Sequence, residues 1–310
     1  MTPHRGQRHP GPHNSHPSGV DPERTCSPLF PLLIIIGMTV VTVLHPGAMG
    51  AAVGRQAVAA GATVRWVSSG RSAATRKRAA AAGFEEFTDL AAALDGTGIV
   101  LSICPPAGAE DLARSLSGYA GIFVEANAIT PARTARIAEM LPAARVVDGG
   151  IIGEPPHRAG TTRLYLAGDA GGVPELFTGT ALEVVTLPGG IGRASALKLA
   201  YASYQKASRV LAAVAHGLAR EYAVDEYLMR EAALLQSRPL ADVAQFPDVA
   251  AKAWRWAPEM REVAELLDDS GLPSGLALGA ADALDRWASA RDHTDLDTGA
   301  ALDLLAEPPC

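Results

Sequence analysis

Short, largely apolar and β-branched runs recur at 40–44, 63–67, 98–104, 122–125, 145–148, 163–167 and 182–187. Most are closed by glycine, proline or small polar residues. The run Gly-Ile-Val-Leu-Ser-Ile-Cys at 98–104 is almost free of polar breaks, as expected of a parallel strand buried on both faces. Stretches of helical character lie between the runs, at 51–60, 89–94, 110–116 and 131–141. Strand and helix alternating over about 150 residues predict an α/β fold with a doubly wound parallel sheet.

The pattern changes at Gly189. Gly-Gly-Ile-Gly leads into a long helical stretch at 194–222, rich in Ala and Leu. Helical segments follow, with breaks expected at Pro239, Pro247, Pro258 and Pro273. The sequence therefore divides into an extension at 1–37, a dinucleotide-binding domain at 38–190 and an all-α domain at 191–310. The extension is rich in Pro, Gly, His, Ser and Arg and is expected to be disordered. Its His4, His9, His13 and His16 lack a scaffold for a metal. The apolar run 29–36 approaches membrane-spanning length when joined to 40–44. Pro31 interrupts it, and 40–44 is needed as the first strand, so no membrane span is expected. Met38 is read as the functional start.

The 310 residues are 48% hydrophobic, enough for a large core. A net charge of −6 argues against a broad nucleic-acid surface. Cys26, Cys104 and Cys310 give neither a disulfide framework nor metal-ligand spacing, which fits a reducing cytoplasm.

The chemistry begins at Thr-Val-Val-Thr-Val-Leu-His-Pro-Gly-Ala-Met-Gly, residues 39–50. Strand, tight turn and helix are the opening of a dinucleotide-binding βαβ unit. There a pyrophosphate meets backbone N–H groups at a helix N-terminus. Gly47, Ala48, Met49 and Gly50 are the expected cradle. His45 stands where the first glycine of G-x-G-x-x-G belongs. An NAD site places Asp or Glu about 20 residues beyond the glycines. Residues 48–84 contain no acid; Ser69, Arg71 and Ser72 stand at the end of the second run instead. Hydroxyls and a guanidinium suit a 2′-phosphate, so NADP(H) is favoured over NAD(H).

Four stretches together resemble the β-hydroxyacid dehydrogenase superfamily, which includes 6-phosphogluconate dehydrogenase, 3-hydroxyisobutyrate dehydrogenase and the imine reductases. They are His45 to Gly50, Glu125 to Pro131 (Glu-Ala-Asn-Ala-Ile-Thr-Pro), Asp148 to Gly153 and Gly192 to Lys198. The nearest branch carries a 6-phosphogluconate-dehydrogenase-like C-terminal domain. The resemblance implies a Rossmann domain followed by an all-helical domain, a homodimer, and an active site between the domains. It assigns Lys198 as the catalytic lysine, with Tyr201 and Gln205 sharing its helix face at i+3 and i+7. It places Pro105 and Pro106 at the nicotinamide, and Asn127, Ile152 and Gly153 at the substrate.

The sequence departs from the family at three of these points. Ala202 replaces an Asn four residues after the lysine, Asn127 replaces a Ser, and Ile152 replaces the Ser of a glycine-rich substrate loop. Asn127 is read as either a substrate ligand or a cap of the following helix. Asp148 is read as a structural turn residue and Cys104 as core. The expected activity is hydride transfer between NADP(H) and a small polar hydroxy or carbonyl compound, with Lys198 exchanging the proton. Imine reduction on the same scaffold and a non-catalytic NADP(H)-binding regulator are the alternatives. No metal is expected.

Overall fold

The computed structural model describes residues 39–235, 238–291, 293 and 295–307, all within one compact unit, Ile36–Cys310. The extension with its histidines and Cys26, the Met38 start and Cys310 lie outside the described residues. Eight strands form one sheet: β1 (Val40–Val43), β2 (Thr63–Val67), β3 (Glu85–Phe87), β4 (Ile99–Ser102), β5 (Ile122–Glu125), β6 (Arg145–Gly153), β7 (Thr162–Ala167) and β8 (Leu182–Leu187). Their order is β3-β2-β1-β4-β5-β6-β7-β8. Strands β1 to β6 pair in parallel. Strand β7 reverses against β6, and β8 runs parallel to β7. The helices between strands are α1 (Ala48–Ala59), α2 (Ala73–Ala81), α3 (Leu90–Leu94), α4 (Ala109–Arg114), α5 (Pro131–Met140) and α6 (Val173–Leu176).

Strands covered on both faces explain the unbroken apolar runs. Leu101 and Val124 join one buried cluster with Val41, Val43, Val64 and Trp66. Their neighbours Val100 and Phe123 point the other way, into a second cluster with Leu44, Ile137 and Leu141. Between β1 and β4 the strand order reverses. Ligands of open α/β sheets bind beyond the strand ends at such a point.

One strand carries no local signal and one expectation needs correction. Glu-Glu-Phe at 85–87 is too polar to read as a strand, yet it pairs with β2 as the sheet edge. The glycine-rich stretch at 149–153 is the second half of β6 and not a loop. Its glycines serve close approach. A Cβ on Gly149 would stand 3.0 Å from that of Ala126, and one on Gly150 would stand 2.6 Å from the Ala194 carbonyl oxygen.

The second half is α7 (Arg193–Glu221), α8 (Asp225–Leu234), α9 (Phe246–Asp269), α10 (Gly275–Asp285) and α11 (Thr298–Ala306). Pro258 does not break α9 as expected. Pro258 and Trp254 both lie on the exposed side of the helix, where water can satisfy a carbonyl deprived of its helical partner. No helix among the described residues is long and apolar enough to cross a membrane.

Candidate active site

The chain leaves β1 through His45 and Pro46 and enters α1 at Gly47. Gly50 cannot carry a side chain, because a Cβ there would lie 2.4 Å from the His45 carbonyl oxygen. Gly47 is the N-cap and offers no side chain to the first turn, which contains no acidic residue. The first N–H groups of this twelve-residue helix therefore have no internal partner and point to the crevice with the positive end of the helix dipole.

Beyond β2, Ser69 donates its hydroxyl to the Thr88 carbonyl, and Ser72 caps α2 by accepting from the Thr75 amide at 3.3 Å. Arg71 instead reaches back to the turn. One terminal nitrogen lies 2.8 Å from His45 Nδ1 and the other donates to the Leu44 carbonyl at 3.3 Å. Its Nε is buried without a partner. Arg78, on α2, donates to the Pro46 carbonyl at 3.3 Å and to Thr75 Oγ1 at 3.0 Å.

On the other side of the switch point, the ends of β4 and β5 are laced together by Asn127. Its side-chain nitrogen donates to Ser102 Oγ at 2.9 Å, and its oxygen accepts from the Cys104 amide. Thr130, not Asn127, caps α5. Asn127 is buried, and its own amide donates to Glu125 Oε1 at 3.0 Å. Glu125 Oε2 has no partner. Burial first, and the Asp148 charge as a minor cause, push the Glu125 pKa up to about 7. The Cys104 thiol is pushed up to about 11, chiefly by burial and then by Glu125, so it is protonated and inert as a nucleophile at neutral pH. Pro105 and Pro106 follow Cys104 and are exposed at the rim.

Asp148 is fully buried in β6 and holds the start of α7. Its carboxylate accepts from the amides of Gly192 at 2.8 Å, Ala194 at 2.8 Å and Ser195 at 3.1 Å. Four residues beyond Ala194, Lys198 lies against β6: a Cβ on Gly150 would stand 3.3 Å from the Lys198 Cβ. Lys198 is half-buried, and burial first, with Lys206 second, lowers its pKa below the ordinary lysine value. Tyr201 and Gln205 follow on the same face, joined by a 3.5 Å contact from Gln205 Nε2 to the Tyr201 hydroxyl. Ile152 is buried in β6. Gly153, at φ +125°, closes against Thr161, whose carbonyl oxygen would lie 2.1 Å from an added Cβ. The structure thus brings residues 47–50 and Arg71 together, and Lys198 against β6, while the hydroxyls of Ser69 and Ser72 are engaged locally.

Sequence reasoning missed Glu125, Arg78, the capping role of Asp148 and the pairing of His45 with Arg71. The register ends of β5 and β6 were the available signal for the two acids, since Glu125 pairs with Asp148.

A doubly wound sheet with a glycine turn at its switch point, continued by a helical half through one long helix, defines a Rossmann-type α/β fold with an all-α C-terminal part. A reductive aminase from Aspergillus terreus, solved with NADPH and ethyl-5-oxohexanoate, shares this fold at 20% identity, with 86% of this chain and 99% of that chain covered and a TM-score of 0.66. An imine reductase from Bacillus cereus shares it at 17% identity, 87% and 100% coverage and a TM-score of 0.62. So does a conserved protein of unknown function, described as structurally similar to 3-hydroxyacid dehydrogenases, at 21% identity, 81% and 98% coverage and a TM-score of 0.52. Residues 219–287 match a domain of unknown function, DUF1932. No curated protein matches the chain.

Proposed function

We propose that the protein is an NADP(H)-dependent oxidoreductase that exchanges a hydride with a small polar hydroxy or carbonyl compound. The observation that carries this reading is the uncapped α1 N-terminus, closed to any side chain at Gly50, with the Arg71 guanidinium held beside the turn on His45 and the Leu44 carbonyl and its Nε left without a partner. These features fit a pyrophosphate and a further phosphate. Gly47, Ala48, Met49 and Gly50 would hold the pyrophosphate, and Arg71, with Ser69 and Ser72 beside it, the 2′-phosphate. Pro105 and Pro106 would border the nicotinamide, which when bound supplies or accepts the hydride. NAD(H), without that phosphate, is the weaker ligand.

Lys198 takes the substrate hydroxyl proton in oxidation and returns it in reduction. A lysine whose pKa is lowered by burial has a larger neutral fraction near neutral pH, as a base requires. Asn127 orients the substrate or the nicotinamide ribose, and Tyr201 and Gln205 line the same face as Lys198. Residues 191–310 would form the substrate and dimerisation domain of a homodimer, with 38–190 as the cofactor domain.

Ile152 favours a second reading, imine reduction. The end of β6 offers Ile152 where a hydroxyl would bind a carboxylate, so a less polar substrate is accommodated.

Titration with NADPH and NADH, followed by turnover assays on ketones, hydroxy acids and cyclic imines, tests the proposal. Tight NADPH and weak NADH binding is expected. Lys198→Met is expected to lower turnover by at least about 100-fold with NADPH affinity kept. Binding of neither nucleotide would overturn the reading. NADPH binding without turnover on any substrate class would leave the regulatory alternative.

A further inference from the structure

Arg71 and Arg78 meet at the glycine turn without a carboxylate, unlike several arginines of the sheet half. Arg65 pairs with Glu85, Arg76 with Glu86 and Arg145 with Asp169, whereas neither Arg71 nor Arg78 forms a salt bridge among the described residues. Their acceptors are neutral: His45 Nδ1 and the carbonyls of Leu44 and Pro46, with Thr75 Oγ1. Arginine can only donate, so the 2.8 Å contact fixes Nδ1 of His45 as an acceptor and leaves the imidazole neutral, with its proton on Nε2. The ring lies beside the turn, its Cδ2 3.5 Å from a Cβ built on Gly47.

We propose that His45 and Arg71 form a proton-coupled phosphate reader: a phosphate dianion takes the guanidinium from Nδ1, and His45 takes a proton from solvent at the freed nitrogen. This rests on the crevice being an NADP(H) site and concerns the cofactor's 2′-phosphate. One proton enters per phosphate bound. His45, Arg71 and Arg78 then set three positive charges against two negative ones.

The groups acting on His45 favour this direction. Burial, Arg71 and Arg78 hold its pKa down while no anion is present. Helix α1 brings no acid in its first turn. From the β4 side, Cys104 is a neutral thiol at the pH of the test. A dianion between the arginines reverses the sign of the local field and raises the imidazole pKa.

The test is calorimetric titration of the full chain at pH 7.5 in two buffers of different ionisation enthalpy, with NADPH and with NADH. The second pKa of a phosphate monoester is about 6, so the 2′-phosphate is already a dianion and any uptake belongs to the protein. Uptake approaching one proton for NADPH and near zero for NADH is expected. His45→Asn is expected to bind NADPH several-fold more weakly with uptake abolished. In the unaltered protein, the His45 imidazole nitrogen resonances should shift to the protonated form on adding NADPH but not NADH, a readout that needs no variant. NADPH binding without uptake, or uptake unchanged in His45→Asn, would overturn the reader and leave the cofactor assignment standing. Failure of both nucleotides to bind would overturn both.

Discussion

In the sheet half the interior is built from large side chains: Trp66, Leu101, Phe123, Leu164 and Phe177 are all but inaccessible. Beyond residue 191 the fully buried apolar positions among the described residues are alanines, apart from Leu267 and Trp287. The large apolar residues are distributed the other way. Every exposed one among the described residues lies at or beyond Ile191, with Tyr227 64%, Leu234 71% and Leu235 75% exposed. Alanine at the contacts lets helices approach closely, and α9 and α10 exploit it through Ala253, Ala257, Ala264, Ala277 and Ala281. The sheet half closes its own core. The helical half leaves many large apolar residues in water, which is what a surface covered by a second copy requires and supports the proposed homodimer.

The largest difference between the halves should appear on truncating one side chain in each. Phe123→Ala empties a closed core between β5 and its covering helices and is expected to cost about 3–5 kcal/mol. Leu234→Ala removes an exposed side chain and should change the stability of the isolated subunit by less than about 0.5 kcal/mol. Urea unfolding of dilute protein measures both. Equal losses would mean that α8 is packed as tightly as the sheet.

The tight closure of the sheet half has an electrostatic consequence at Glu125. Its pKa is raised from 4.5 to about 7 by burial. The folded state therefore holds this proton over a range in which the unfolded chain has lost it. The resulting stability is complete below pH 4.5 and is lost as pH rises through about 7. A shift of this size is worth on the order of 3 kcal/mol by pH 8. Glu125→Gln keeps an acceptor for the Asn127 amide and removes the titration. The variant should gain thermal stability relative to the parent between pH 5 and pH 8, and parallel melting curves would contradict the burial argument.

The border of the two halves is Asp148, whose carboxylate faces three amides at the start of α7. Asp148→Asn removes the charge and part of the acceptor capacity and is expected to cost about 1–3 kcal/mol. Because Lys198 lies one turn beyond, turnover should fall more than NADPH affinity. A variant that loses stability with unchanged turnover would show that α7 keeps its place without this cap.

How far these features could be read beforehand follows from where their causes lie. The strands of the doubly covered sheet are local apolar runs, so the α/β order and the change from strands to helices near residue 190 are legible. Glu85–Phe87 is a strand only because β2 offers it an edge, and nothing in three polar-leaning residues says so. The reversal of β7 is a pairing event that no local pattern records. At the site, Gly50 is legible because it answers a local steric need: a Cβ there would meet the His45 carbonyl. The Arg71–His45 contact spans 26 residues and the Asp148 cap 44 or more. Both exist only once β1, β2 and β6 are in register. Pro258 shows the converse: a strong local rule yields to an exposed helix face.

The smallest effect on subunit stability, and the most direct probe of the helical half, comes from Tyr227→Ser combined with Leu234→Ser on α8. No residue of this helix is buried. Replacing solvent-exposed apolar groups should leave the unfolding free energy of the isolated subunit within about 0.5 kcal/mol. If a second copy covers this face, the same change removes the large side chains that dominate association energy. Light scattering should then report a fall from the dimer mass toward that of one subunit, while the Glu125 pH dependence, which belongs to the sheet half, stays as it was. An unchanged dimer mass would show that α8 carries no part of the contact between copies.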